Sequence, residues 1–336
     1  MVDTRTLDVL LDARLAARGL GIGTFVNRLS AGLAANRSIR VSPWRATAPW
    51  GPRARLATLT RSGLFDISPA LDPRARGADV VHFACNLGAV RPGPNSVVTV
   101  HDLMHRRRIR RRDALLGSIF ERSLRHAARV AAVSTQTASD VEHVLPELRS
   151  RLEVIPHGMR QLPRPTGERL HVLAFGGQGD PRKRVDLGVA GYEAYRSATS
   201  DPLPLVVLAR AGLTVDQLVR LERLGARVVS TATDEEVDAL MASAAALLFP
   251  TLEEGFGLPV VEAAEVGTPV VLDRGARITP EVLGPHCVRV EGPAPSAWGR
   301  GLSRAIEAGP VFGALSLPTW DDVADRYAAI YSEVAR

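Results

Sequence analysis

Short apolar runs recur along the chain, and stretches with helical spacing separate them. Leu7–Leu11 (LDVLL) reads as a buried first strand; a glycine loop, GLGIGTF, follows, and then a helical pattern to about Ala35. Ala78–Phe83, Ser96–Val100, Arg129–Val133 and Leu152–Pro156 read as further strands with helices between them. Such alternation predicts a parallel sheet covered on both faces. The polar, proline-bearing segment His157–Arg169 reads as a linker, after which the alternation restarts. His171–Phe175, Leu205–Leu208, Arg227–Val229, Ala245–Phe249 and Pro269–Leu272 are its expected strands. The chain therefore divides into an α/β domain over 1–160, a second over 168–316, and a terminal segment over 318–336. Two such units leave a cleft between them, a favoured place for a ligand. Pro318–Ala335 is one amphipathic helix: Trp320, Val323, Tyr327, Ile330 and Tyr331 share a face, and Asp321 and Asp322 suit its first turn.

Composition narrows the classes. Apolar residues are 46% and charged residues 23% of 336, enough to build two ordinary cores and too apolar for a disordered chain. Cys85 and Cys287 lie far apart with no C-x-x-C, which argues against a disulfide framework or zinc ribbon and fits a reducing cytoplasm. The N-terminus, MVDTRTLDVLL, carries acidic residues and no signal-length apolar stretch, and Met241–Pro250 falls well short of the roughly 20 residues of a spanning helix. A soluble or peripheral protein is expected. The net charge of +6 admits phosphorylated ligands, anionic membrane or nucleic acid without choosing among them. HRRRIRRR at 105–112 concentrates six arginines, so Arg106–Arg112 is a candidate contact for the anionic inner face of a membrane. No aromatic residue interleaves the run, which disfavours single-stranded nucleic acid as a partner.

The most informative stretch is Glu254–Glu262, EGFGLPVVE, followed by AAEVGTPVV. Pro259 suits a first helical position and Gly267 a helix end, so Phe256, Gly257 and Leu258 form a tight loop at a helix N-terminus. Backbone N–H groups and the helix dipole there attract an anion, and glycine permits close approach. Glu254 before the loop and Glu262, expected in the first helical turn, bracket a phosphate-sized site; carboxylates accept well from sugar hydroxyls. Gly176–Asp186 (GGQGDPRKRVD) follows a predicted strand and places Arg182, Lys183 and Arg184 where they can neutralise a diphosphate. Gly19, Gly21 and Gly23 do not make a dinucleotide fingerprint, because Val26 stands where the last glycine belongs. His101-Asp102 falls at the C-terminal end of strand SVVTV, where α/β clefts open. His101 and His105 make an H-x3-H pair with no evident third ligand, so no metal is assigned. The Ser134, Thr137 and Asp140 pattern is explained by helix capping.

EGFGLPVVEA resembles the E-x7-E signature of retaining glycosyltransferases of the GT-B fold, especially family 4. The resemblance implies two Rossmann-like domains with parallel sheets facing across a cleft, and a C-terminal helix crossing back to the first domain. It puts Glu254 beside the donor sugar, Glu262 on the nucleotide ribose, and the backbone of Phe256–Leu258 against sugar and diphosphate. D-P-R-K-R is similar to the family's P-R-K-x element, whose lysine, here Lys183, meets the diphosphate. Some members carry an arginine after the first glycine; Gly177 stands there, and either Arg182 or Arg184 takes over its charge. Gly21 and Gly23 match the G-I-G-x-[YF] loop that faces the donor diphosphate and the acceptor; His101 matches a histidine that approaches the transferred sugar. His157-Gly158 replaces the more usual Asn-Gly.

The implied reaction moves a sugar from a nucleotide-diphosphate sugar to a hydroxyl of a glycan, lipid-linked or small-molecule acceptor, with the anomeric configuration retained. The leaving phosphate takes the acceptor proton, and no protein nucleophile is assigned. No D-x-D is present to hold a divalent ion, so no cofactor is required. A sugar phosphorylase on the same scaffold, and a basic membrane- or nucleic-acid-binding protein, are the alternatives; the E-x7-E loop argues against an epimerase.

Overall fold

In the computed structural model, the described residues are 5–13, 16, 21–44, 77–85, 93–103, 111–162, 164–177, 180–209 and 212–336. The chain forms two compact units, one comprising 1–158 with 317–336 and the other 159–316.

In the first unit the chain runs β1 (Leu7–Asp12), α1 (Gly21–Ala35), β2 (Ile39–Trp44), β3 (Val80–Phe83), β4 (Ser96–Val100), α2 (Arg111–His126), β5 (Arg129–Ala132), α3 (Thr135–Val144) and β6 (Leu152–Val154). It closes with α9 (Trp320–Val334), reached only after the second unit. The strands are parallel in the order β2-β1-β3-β4-β5-β6, with Val9 of β1 paired to Val41 on one side and Val80 on the other. The direction of winding reverses at β1, and ligands gather at the carboxyl ends of strands beside such a switch.

The apolar stripe of α9 is buried as its spacing predicts. Trp320, Val323, Tyr327, Ile330 and Tyr331 join one cluster with Phe25, Leu29 and Leu33 of α1 and Val9 and Leu11 of β1. Each such side chain contributes about 1.5–3 kcal/mol on burial. α1 and α9 approach so closely at Gly32 that an added Cβ would lie 2.8 Å from that of Ala324. Thr319 caps α9 reciprocally with Asp322. Beneath the helix, His82 of β3 joins the Tyr331 hydroxyl (2.7 Å) to the Thr99 hydroxyl (2.8 Å), and Thr99 meets Tyr327 at 2.8 Å. Four buried polar side chains thus satisfy one another and fix α9 against β3 and β4.

The second unit runs β7 (His171–Phe175), α4 (Val185–Ala198), β8 (Leu205–Leu208), α5 (Val215–Arg223), β9 (Arg227–Val229), α6 (Asp234–Ala242), β10 (Ala244–Phe249), α7 (Leu258–Glu265), β11 (Val270–Asp273), β12 (Cys287–Val290) and α8 (Pro295–Ala308). Its parallel order is β12-β11-β10-β7-β8-β9, so the switch lies between β7 and β10. Both sequence motifs of this unit follow those two strands.

Two expectations are corrected. α1 begins at Gly21, so Gly21 and Gly23 belong to its first turn and not to a loop lasting to Phe25; Phe25, Val26, Leu29 and Leu33 bury one helical face. The edge strands β2 and β12 were absent from the pattern reading, because IRVSPW and CVRV mix apolar residues with arginine, serine or proline. Pro43 is tolerated because β2 pairs on one side only among the described residues. The boundary between the units falls within the expected linker, at 158/159, and the rest of that segment is tied to the second unit. Arg160 clasps Asp238 at 2.5 Å and Glu265 at 2.7 Å, and Arg169 donates to Val266 O at 2.8 Å and Ala244 O at 3.2 Å.

Candidate functional site

Two loops meet at the switch of the second unit. After β7 the chain makes a single 3₁₀ turn, Pro181–Lys183, capped by Asp180, whose carboxylate accepts from the Arg182 N–H. The turn ends at Arg184 with φ 42° and ψ 47°, the only left-handed non-glycine among the described residues. Such a conformation costs on the order of 1–3 kcal/mol and persists only where its surroundings hold it. Here Arg184 Nε donates to Pro250 O at 2.7 Å, its Nη2 reaches Asp273 Oδ2 at 2.5 Å, and its guanidinium lies 5.8 Å from the Trp298 ring centre.

These contacts bear on the basic triplet. Arg184 is spent on Asp273 at the end of β11. Arg182 is held by both oxygens of Asp180, at 3.0 and 2.6 Å, and by Glu253 O at 3.1 Å. Lys183 places Nζ 2.5 Å from Glu254 Oε1 and 5.2 Å from the centre of the Phe249 ring. So the cation of the first motif and the first carboxylate of the second are already joined. Gly177 is part of that fit, because a Cβ there would stand 2.9 Å from Lys183 Cγ. An arginine at this position would compete with Lys183 for space.

The loop after β10 is stitched to its neighbours through the backbone. Leu252 N donates to Arg182 O (2.9 Å), Glu254 N to Arg277 O (3.0 Å), and Arg277 N to Leu252 O (2.8 Å). Thr251, fully buried, donates its hydroxyl to Glu254 Oε1 at 2.8 Å. Gly257 then takes φ +96°, open to glycine and strained for other residues, and starts α7 with no side-chain cap. Phe256 and Leu258 are buried around it. Pro259 falls at the second helical position and Glu262 at the fifth, so Glu262 lies beyond the first turn where it was expected; its side chain is half-buried. Gly267 ends the helix at φ +73° with the Phe312 ring against its α-carbon.

The remaining expected residues lie in the first unit. His101 follows β4, is buried, and donates from Nε2 to Ala84 O at 2.9 Å; the Phe25 ring meets it edge-on at 4.9 Å. Burial lowers its pKa, only partly offset by the Ala84 carbonyl and Asp102, and the ring is kept neutral. Phe25 also stacks on His157 at 5.0 Å. Gly19, His105 and Arg106–Arg110 lie outside the described residues. Among the described residues no cluster of three or more His, Cys, Asp or Glu side chains could hold a metal ion, and no helix is long and apolar enough to cross a membrane.

Sequence reading missed Thr251 and the clasp of Arg160 by Asp238 and Glu265. Neither has a periodic signal. Thr251 looks like any residue in a strand-to-helix loop, and Glu265 is hidden inside the apolar VVEAAE run.

Residues 13–161 match the family model described as Glycosyltransferase Family 4, and residues 110–276 match Family 4 Glycosyltransferase in conflict systems. The chain is 32% identical over 183 residues to the MMP alpha-(1->4)-mannosyltransferase of Mycolicibacterium hassiacum, covering 52% of this chain and 44% of that one. It is 30% identical over 174 residues to the D-inositol 3-phosphate glycosyltransferase of Salinispora tropica, covering 47% and 35%. The matches thus span less than half the length of these curated relatives. Among solved structures, sucrose-phosphate synthase from Thermosynechococcus elongatus superposes with a TM-score of 0.65 at 16% identity, over 98% of this chain and 99% of that one. That likeness, with two parallel sheets each covered by helices and a terminal helix returning to the first unit, gives the chain the GT-B fold. The two family models together span residues 13–276, and the chain belongs to glycosyltransferase family 4.

Proposed function

We propose that this chain is a retaining glycosyltransferase that transfers a hexose from a nucleotide-diphosphate sugar to a hydroxyl acceptor, with the second unit binding the donor and the first the acceptor. The observation that carries the reading is the Lys183–Glu254 pair, 2.5 Å apart at the carboxyl ends of the adjacent strands β7 and β10, a few residues before the uncapped N-terminus of α7. A strand switch, a cation and a helix N-terminus are what a diphosphate requires.

Glu254 neutralises Lys183 while the donor is absent. An arriving diphosphate offers the ammonium a stronger partner, and Glu254 is then presented to the sugar. As the bond from the anomeric carbon to the phosphate oxygen breaks, negative charge grows on the diphosphate and the ring becomes oxocarbenium-like. Lys183 and the α7 N-terminus oppose the first charge, and the Glu254 carboxylate the second; both are preorganised by the surrounding hydrogen bonds. The acceptor oxygen bonds to the anomeric carbon on the face being vacated, and its proton passes to the leaving phosphate oxygen, so the configuration is kept. Glu262 holds the ribose, the part of the donor that does not react. The mannosyl transfer in the name of the Mycolicibacterium hassiacum relative supports a hexose donor.

The test is thermal stabilisation by UDP, GDP, dTDP and ADP, since a ligand that binds only the folded state raises its stability. At least one diphosphate should raise the melting temperature in wild type and lose most of that effect in Lys183→Ala. No response to any of the four would overturn the donor assignment.

A further inference from the structure

Glu254 Oε1 carries two donors at once: Lys183 Nζ at 2.5 Å and the Thr251 hydroxyl at 2.8 Å. Its Oε2 has no hydrogen-bond partner among the described residues. The two donors differ in kind. Lys183 sits at the end of a long side chain that is 25% exposed, and its charge is what an incoming diphosphate would claim. Thr251 is 0% exposed on a short, branched side chain. Its alternative acceptor, Glu253 O, is farther at 3.3 Å.

We propose that Thr251 is a positioning residue, which holds the Glu254 carboxylate in place once Lys183 has turned to the donor diphosphate. The inference rests on the donor site proposed above. While the site is empty the two donors are redundant. With donor bound, Thr251 is the anchor of Oε1 that remains among the described residues, and through it Oε2 stays aimed at the sugar. Removing the hydroxyl therefore leaves the empty site intact and loosens the carboxylate at the moment of transfer. The defect belongs in kcat, because nucleotide contacts are made elsewhere.

The experiment is steady-state kinetics and nucleoside diphosphate titration on full-length Thr251→Val, Thr251→Ser and Glu254→Gln. Thr251→Val keeps the shape and removes the hydroxyl; Thr251→Ser keeps the hydroxyl and removes a methyl. Thr251→Val should lower kcat about 10- to 100-fold, the scale of a small misplacement of a reacting group, with KM and diphosphate affinity within about threefold of wild type. Thr251→Ser should recover kcat to within about threefold. Wild-type kcat in Thr251→Val overturns the proposal, and so does a Thr251→Ser variant as slow as Thr251→Val, since packing of the methyl would then be what matters. Should Thr251→Val not fold, Thr251→Ala against Thr251→Ser makes the same comparison. Full activity in Glu254→Gln, or no diphosphate binding by wild type, would mark failure of the donor site itself and overturn this inference with it.

Discussion

Lys183 and Glu254 come from loops after strands that neighbour each other in the sheet but stand 71 residues apart in the chain, and they meet at 2.5 Å. With side chains 25% and 13% exposed, the pair is shielded enough to be oriented yet open enough to exchange partners with a ligand. In the proposed donor site, that exchange separates the roles of the two glutamates and sets what each variant should show.

Glu254 and Glu262 should fail differently. Glu262 is assigned to the ribose, which is unchanged in the reaction, so its contact stabilises ground and transition states alike; Glu262→Gln should raise KM more than it lowers kcat. Glu254 is assigned to the sugar that becomes cationic, and Glu254→Gln should lower kcat by about 10²–10³, as when one preorganised transition-state contact is lost. Steady-state kinetics on both variants checks this. Loss of only kcat in Glu262→Gln with loss of only donor affinity in Glu254→Gln would reverse the assignment.

The Arg160 clasp should be a stability element of the second unit. Its guanidinium meets Asp238 and the wholly buried side chain of Glu265, whose other oxygen accepts from the Arg160 N–H at 2.6 Å. Arg160→Met leaves the Glu265 carboxylate buried without its cation, which costs about 3 kcal/mol. Urea unfolding should show a lowered midpoint. A loss below about 1 kcal/mol would mean the clasp is no better than a surface pair.

How much of this was legible beforehand depends on the reach of each signal. The strands β1, β4, β7, β8 and β10 are short apolar runs buried on both faces, and the α9 stripe obeys helical spacing, so each was readable locally. Of the four edge strands, β2 and β12 escaped because half-exposed backbone tolerates Arg40, Pro43 and Arg289. Lys183 and Glu254 were each picked out by motif, but their contact arises from the β7–β10 pairing, which no local pattern encodes. The fates of Arg182 and Arg184 were likewise hidden: Asp180 and Asp273 are ordinary acids in sequence, and only the fold brings Asp273 to Arg184.

Acid should weaken the first unit through His82. Burial, with the nearby His101, lowers its pKa to about 3, against an ordinary value of 6.5 that the unfolded chain regains. Between those values the unfolded state binds a proton that the folded state refuses. Stability is therefore full above pH 6.5 and is lost as pH falls toward 3. For one such group the slope reaches about 1.4 kcal/mol per pH unit. Denaturant melts between about pH 7 and pH 5 should give a shallower loss for His82→Gln than for wild type. Equal slopes would mean that His82 accepts a proton without unfolding.

The most direct measurement is proton NMR of the chain with a panel of nucleotide-diphosphate hexoses and hydroxyl acceptors, following the anomeric signals through the reaction. One donor should be consumed with release of its nucleoside diphosphate, and the new glycosidic bond should carry the anomeric configuration of that donor. Lys183→Ala and Glu254→Gln should each slow that signal. Inversion at the anomeric carbon would contradict retention, and release of sugar 1-phosphate that depends on added phosphate would make the chain a phosphorylase. Full turnover by both variants would remove the Lys183–Glu254 pair from the chemistry.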